Sequence, residues 1–496
     1  MSDIDNLYQV YLRSHAVTTD SRNITPGCLF FAFKGEKFDG NAFAPQALEQ
    51  GAALCVVNEK WKRESGKLGD DERIVGVPDV LKTLQELACE HRRHLEIPII
   101  GITGTNGKTT TKELVHAVLA KRYKTSATKG NFNNHLGVPL TLLSIPEGTE
   151  LAIVEMGANH PGEIEFLCGI SDPDCGLITN VGRAHLEGFG SFEGVVRTKT
   201  ELYRHLAGKH GMVFVNADNE RLMHEAEKLS TIPGLRSVIP AYAPDNPAFV
   251  PTTIEKTPLS MLTYGKTQEA DVRGTIVGSG QCVVDSTREQ ILSTTHYPLL
   301  TPYLHFYFEV GDNVYNVHTH LLGDYNFDNC MAAVAVGLHF GVEPWDIKEA
   351  IEEYVPSNQR SEFKETSRGN RLYLDCYNAN PSSMAAAIAS FSTMIGVKGS
   401  ERTNAKCFAI IGGMHELGRD ERKEHKRVVA QLAECGLERV LLVGPEWDGL
   451  TLPAEMRRFA DTEEVRGWLR ENPVSGATIL VKGSNTNRLW TLEEIL

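Results

Sequence analysis

Ile97-Pro-Ile-Ile-Gly-Ile-Thr-Gly-Thr-Asn-Gly-Lys108-Thr109-Thr-Thr-Lys-Glu-Leu114 is the most informative stretch of this chain. The apolar run to Ile102 predicts a buried strand, a Gly-rich turn follows, and Lys108 and Thr109 open a helix. That is the context a phosphate-binding loop requires. Backbone N–H groups and the helix N-terminus form an anion cradle, Lys108 offers a point charge to β/γ-phosphates, and Thr109 offers a hydroxyl to Mg²⁺. Gly104, Thr105, Asn106, Gly107, Lys108, Thr109 and Thr110 are therefore candidate nucleotide-binding residues. The strict G-x4-G-K-[ST] pattern would place Gly at position 102, where Ile102 stands; the glycines present are Gly101 and Gly104. A purely structural turn is the competing reading, and Gly-Lys-Thr directly after a strand disfavours it.

Outward from this loop, short apolar runs bounded by turn signals recur. They are Leu29 to Phe33, Leu54 to Val57, Leu151 to Val154, Gly176 to Thr179, Met212 to Val215, Leu372 to Leu374, Cys407 to Ile411, Val440 to Val443 and Ile479 to Val481. Helical stretches lie between many of them, which predicts an α/β architecture with parallel strands buried on both faces. The charged helical segment Val80 to Glu96 and the Val355-Pro-Ser-Asn358 stretch mark boundaries near 97 and 357. The expected domains are 1–96, 97–356 and 357–496. The stretch from about 251 to 317, with Tyr-Leu-His-Phe-Tyr-Phe-Glu-Val and similar runs, predicts an insertion of antiparallel strands in the central domain.

At roughly 150 residues per domain, 496 residues also imply about three domains. Charged residues make up 23% and hydrophobic ones 41%, an ordinary globular balance that excludes a disordered chain. Lys plus Arg total 50 against 64 Asp plus Glu, a net charge of -14, which argues against a nucleic-acid partner. The ten cysteines show no CxxC pair and read as thiols in a reducing compartment. The N-terminus lacks an apolar signal core and no run of about 18 apolar residues follows, so a cytoplasmic protein without a membrane span is expected.

A nucleotide site that does chemistry needs a carboxylate for its metal. Glu155 ends the run Leu-Ala-Ile-Val, at the carboxyl edge of a strand where α/β sheets place ligands. Read alone, it is equally a helix-start or solvated carboxylate. His185 lies in a Gly-rich loop after the next strand, and a lone loop histidine is more often a surface residue than a ligand. Its claim rests on its neighbours.

Those neighbours make the chain resemble the Mur ligases, ATP-dependent amide-forming enzymes of peptidoglycan precursor synthesis. Gly104-Thr-Asn-Gly-Lys-Thr109 is similar to their ATP loop, Asn326-Phe-Asp-Asn329 to their adenine-side N-x-x-N, and Lys199 in Arg197-Thr-Lys-Thr-Glu-Leu202 to the lysine they carbamylate. Further stretches resemble the branch that adds D-alanyl-D-alanine. These include Thr19-Asp-Ser-Arg22, Phe38-Asp-Gly40, Gly130-Asn-Phe-Asn-Asn134-His-Leu-Gly-Val-Pro139, Met156 to Glu163, Ala184 to Ser191, Asp375-Cys-Tyr-Asn-Ala-Asn-Pro381, Gly412 to Gly418 and Leu480 to Ser484. They run in matching order from about residue 17 to 484.

The resemblance implies a three-domain architecture: a UDP-sugar-binding domain, a P-loop ATPase and a Rossmann-like C-terminal domain on the dipeptide side. It implies ATP, two Mg²⁺, UDP-MurNAc-tripeptide and D-alanyl-D-alanine as ligands, and a monomer. Lys108, Glu155, His185 and Lys199 would be catalytic, with Thr109, Glu155, His185 and carbamylated Lys199 around the metals. A carbamate replaces a cation with a hard oxygen ligand, whereas an ammonium would repel the metal. Read without the resemblance, Lys199 is a solvated helix lysine. Asn326, Asn329, Arg360, Asp375, Tyr377 and Asn378 would reach ATP. Ser21, Arg22, Asn131, Asn133 and Asn134 would receive the UDP substrate, and Lys482 and Ser484 the dipeptide carboxylate. Four positions depart from the family's usual residues: Tyr325 and Asn41 for His, Gln359 for Gly and Cys376 for Ser.

Two other readings compete. A folylpolyglutamate-synthetase-like ligase would share the ATPase core, but Thr19-Asp-Ser-Arg22 and Asp39-Gly40 call for a uridine domain. A GTPase-like switch would carry an N-K-x-D signature, which does not follow at the required spacing, and would leave Lys199 without a purpose.

Overall fold

The computed structural model describes residues 3–14, 16–35, 38–66, 70–230, 259–277, 303–356, 360–396 and 406–496. Its strands form three sheets. The first is all parallel, in the order Val17–Thr18, Leu29–Phe31, Leu54–Asn58, Ile74–Val77. The third places Arg371–Asp375, Ala477–Lys482, Lys406–Gly412, Arg439–Val443 and Met456–Phe459 in parallel. One antiparallel edge strand, Glu362–Glu365, completes it. The α/β expectation holds in each.

The central sheet has nine strands and positions the site. From Met212–Asn216 outward to one edge it runs Cys175–Ile178, Ile99–Thr103, Leu151–Glu155 and Thr125–Ala127, all parallel. The chain leaves Ile99–Thr103 toward one side of the sheet and returns on the other with Cys175–Ile178. The loops after these strands therefore diverge, which opens a crevice at the carboxyl ends of the strands. Ile99–Thr103 is buried throughout, as the uninterrupted apolar run predicts.

The described parts of 251–317 differ from the expectation. Ser260–Gly265 pairs parallel with Met212–Asn216, and Val272–Ile276 pairs parallel with Ser260–Gly265. Only from there do antiparallel pairs begin, with Tyr303–Val310 and Asn313–Leu322 forming the far edge. Polar/apolar alternation does not distinguish parallel from antiparallel partners, so the pattern misled. Residues 251–258 and 278–302, and the expected boundary at 357 with Gln359, lie outside the described residues.

Helix Asn326–His339 is buried from Asn326 through Gly337 except at Asp328. It packs on helix Lys108–Ala120, with Phe327, Met331 and Val334 sharing one apolar cluster with Leu114, Val115 and Val118. Each such buried side chain contributes about 1.5–3 kcal/mol. A Cβ at Gly337 would stand 2.5 Å from Val118 Cγ1, so the glycine permits the close crossing. That crossing delivers Asn326 and Asn329 to the phosphate loop.

Candidate active site

The loop after strand Ile99–Thr103 is shaped by glycine. Gly104 has φ +145°, and a Cβ there would lie 2.0 Å from Thr179 Oγ1. Gly107 has φ +78°, caps helix Lys108–Ala120, and comes so near Asn329 that a Cβ would meet its Oδ1 at 2.5 Å. Asn180 clamps the loop from the next strand end. Its Oδ1 accepts from Asn106 N at 3.0 Å, and its Nδ2 donates to Asn106 O at 3.0 Å. Lys108 Nζ donates to Gly104 O and Thr105 O, and burial lowers its pKa against the raising effect of Glu155.

Glu155 is 1% exposed at the end of strand Leu151–Glu155. Its Oε1 accepts from Asn133 Nδ2 at 2.8 Å and Thr109 Oγ1 at 3.3 Å, while its buried Oε2 has no partner among the described residues. A half-satisfied buried carboxylate beside the hydroxyl of the helix start is costly unless a cation completes it. Hard oxygen donors of this kind suit Mg²⁺ alongside nucleotide phosphates. Among the described residues no group of three or more His, Cys, Asp and Glu converges on one point, so the protein would supply only part of a coordination shell.

Lys199 is 3% exposed; its Nζ donates to Ala158 O at 3.3 Å and lies 5.5 Å from the centre of the Phe189 ring. Burial and then Lys108 depress its pKa well below the ordinary lysine value. Its amine is thus held toward the neutral, nucleophilic form. His185 sits at φ +49° and bonds through Nδ1 to Glu416 Oε2 of the third sheet's domain. Burial lowers its pKa, against the raising effect of Glu416.

A cleft of about 600 Å³ lies between the central and third sheets. Thr105 through Thr110, Asn133, Asn134, Glu155, His185, Asn326, Asn329, Arg360, Asp375, Tyr377, Asn378 and Lys482 all line it. Asn329 Nδ2 donates to Asn326 Oδ1 at 2.8 Å, and Asn326 Nδ2 to Leu322 O at 2.7 Å. The Arg360 guanidinium stacks 3.5 Å over the Tyr377 ring. Lys482, fully buried, pairs with Asp375 Oδ2 at 3.0 Å and donates to Asn378 O at 2.5 Å.

Three family descriptions match this chain in order. Residues 13–92 match the Mur ligase family, catalytic domain; 102–233 the Mur ligase middle domain; and 359–485 the Mur ligase, glutamate ligase domain. The UDP-N-acetylmuramoyl-tripeptide--D-alanyl-D-alanine ligase of Bacillus subtilis is 32% identical over 489 residues, covering 97% of this chain and 92% of that protein. The chain belongs to the Mur ligase family. The Escherichia coli ligase of the same name is 31% identical over 488 residues, with 97% and 92% covered. A crystal structure of MurF from Acinetobacter baumannii is similar with TM-score 0.75 at 26% identity, covering 97% of this chain and 92% of that one.

Of the other sequence candidates of this Mur ligase, Gly104, Lys199, Ser21, Arg22, Asn131 and Ser484 lie outside the cleft lining, whereas Tyr325 lies within it. Ser21 and Arg22 are on the first sheet's loops, with Arg22 paired to Asp20 at 2.8 Å and its side chain 88% exposed. Asn131 is exposed, Asn134 Oδ1 accepts from Leu136 N at 3.1 Å and Gly137 N at 2.9 Å in the turn before helix Gly137–Leu143, and Ser484 bonds within its own turn to Asn487. Asn41 is buried, bonded to Asp39 and accepting from Asn58 N. Cys376 is a buried thiol donating to Val481 O, and Tyr325 OH bonds Ser361 Oγ. Among the described residues every cysteine is free, and no helix is long and apolar enough to cross a membrane.

Residues without an assigned role in the sequence reading also shape the site: Asn180, Ser382, Asn380, Glu163 and Glu416. Asn180 carries a local signal, since it follows two residues after the end of strand Cys175–Ile178. Glu163, Asn380 and Glu416 fall within stretches that resemble the family. What the sequence does not show is their partners, which for Asn380, Ser382 and Glu416 lie far away along the chain.

Proposed function

We propose that this chain is an ATP-dependent ligase joining D-alanyl-D-alanine to UDP-N-acetylmuramoyl-tripeptide, giving the pentapeptide, ADP and phosphate in peptidoglycan precursor synthesis. The observation that carries this reading is 31–32% identity, over 97% of this chain and 92% of each relative, to proteins named for that reaction. The cleft has the composition the reaction needs: a phosphate loop on one wall and third-domain residues on the other.

Amide formation in water requires a better leaving group than hydroxide. The tripeptide carboxylate attacks the γ-phosphorus and ADP leaves; the dipeptide amine attacks the resulting acyl phosphate and phosphate leaves with one carboxylate oxygen. Lys108 and the loop N–H groups neutralise phosphate charge and hold the groups in line. Thr109 and Glu155 would hold one Mg²⁺, and His185 and carbamylated Lys199 a second, which would supply further charge neutralisation. The neutral Lys199 amine is suited to add CO₂, forming an N–C bond and losing a proton. Asn326, Asn329, Arg360, Asp375, Tyr377 and Asn378 are assigned to ATP. Ser21, Arg22, Asn131, Asn133 and Asn134 are assigned to the UDP substrate, and Lys482 and Ser484 to the dipeptide. The domain limits 1–96, 97–356 and 357–496, a monomeric state and a cytoplasmic location belong to the same reading.

Tripeptide labelled with ¹⁸O in its terminal carboxylate tests the chemistry. The released phosphate should carry one label; unlabelled phosphate would exclude the acyl-phosphate route.

A further inference from the structure

The loop holding His185 and the loop holding Glu416 come from different sheets and interlock. His185 Nδ1 bonds Glu416 Oε2, Glu187 N donates to Glu416 O at 3.3 Å, and Gly418 packs so near Glu187 that a Cβ would lie 3.4 Å from its Cβ. His185 and Glu416 both adopt left-handed backbone conformations, φ +49° and +59°, which non-glycine residues rarely take. Such outliers persist where surrounding contacts hold them, commonly at functional sites.

The pair is half open to solvent, with side chains 33% and 55% exposed, so it adds little stability. Its consequence is orientation. A carboxylate only accepts, so the imidazole must donate from Nδ1 and leave Nε2 as its lone-pair nitrogen. Resting on the ligase reading above, we infer that Glu416 is a positioning residue. It is brought by the third domain to fix the His185 tautomer, so that the cleft offers an imidazole ligand only when the domains meet. Carboxylate partners serve metal-binding histidines in this way, and their loss typically costs 10–100-fold in activity or metal affinity.

The experiment is nitrogen NMR on full-length protein carrying ¹⁵N-histidine, with His185 assigned by its loss in His185→Asn. In the ADP-bound protein, His185 should be the Nδ1–H tautomer. Glu416→Ala should convert it to Nε2–H, the form a free imidazole favours, and lower kcat at least tenfold while KM for ATP changes less than threefold. Glu416→Gln, whose amide oxygen still accepts from Nδ1, should keep the tautomer and most turnover. Retention of Nδ1–H in the alanine variant would overturn the inference, as would an unchanged kcat with the tautomer converted. The tautomer is read without turnover, so its failure is distinguishable from failure of the ligase reading. Glu416 is exposed, and matching melting curves for wild type and both variants establish that they fold.

Discussion

Asn380 Nδ2 donates to Asn106 Oδ1 at 2.7 Å, tying the first helix turn after strand Arg371–Asp375 to the phosphate loop. Asn380 also caps helix Pro381–Met394, accepting from Ser383 N in a capping box. Serine caps equally well but is too short to reach Asn106. Asn380→Ser should therefore leave the melting temperature nearly unchanged while removing this interdomain amide pair, whose short bond is worth about 0.5–1.5 kcal/mol and whose return bond from Asn106 Nδ2 is long at 3.5 Å. The expected outcome is an apparent KM for ATP raised about two- to tenfold, with a larger radius of gyration in scattering with nucleotide bound.

The phosphate loop tolerates no side chain at two positions. Gly104→Ala would drive a methyl into Thr179, and Gly107→Ala into Asn329, each at a positive φ. Either change would displace the loop N–H groups assigned above to the nucleotide phosphates, and ADP affinity should fall at least tenfold by calorimetry. Gly148→Ala, also at positive φ but with open space around it, should leave that affinity unchanged.

Lys112 is fully buried on the helix that follows the loop, and its Nζ donates to Thr128 O at 2.6 Å. Thr128 Oγ1 in turn accepts from Glu155 N at 3.0 Å. Lys112→Met keeps the volume and orphans the carbonyl, at a cost of about 1–3 kcal/mol. Denaturant melting should show that loss, and ADP binding should weaken with it because Glu155 loses its support.

Asp328, between the two asparagines, has a pKa pushed up to about 6, mainly by burial, against the lowering effect of Lys266. Its folded value exceeds the unfolded one, so the folded state binds the extra proton between about pH 4 and 6. Stability from this group is present at acid pH and is lost as pH rises through 6. Asp328→Asn should raise the melting temperature at pH 7.5 and raise it less at pH 5. An equal effect at both values would assign the change to something other than this carboxyl.

The sequence made some of this legible and hid the rest for a physical reason. The phosphate loop is local: strand, turn and helix are contiguous, so Gly104 to Thr110 could be read directly. Glu155 was legible as a strand end, but the unpartnered Oε2 that marks it was not. Lys199 reads as a solvated lysine because a single sequence does not reveal burial; the fold supplies Phe189 and Ala158 around it. Asn380, Ser382 and Glu416 act on Asn106, Arg183 and His185 across more than 190 residues. No local pattern encodes such pairs. The parallel pairing of Ser260–Gly265 and Val272–Ile276 escaped because a strand's pattern records burial, not its partner's direction.

The central claim is tested most directly by phosphate release across a matrix of UDP-muramoyl peptides and amine acceptors, with products weighed by mass spectrometry. One phosphate per UDP-MurNAc-pentapeptide, formed only with ATP, the UDP-tripeptide and D-alanyl-D-alanine together, is the predicted result. Substantial turnover with a single amino acid in place of the dipeptide, or phosphate release without a peptide product, would contradict it.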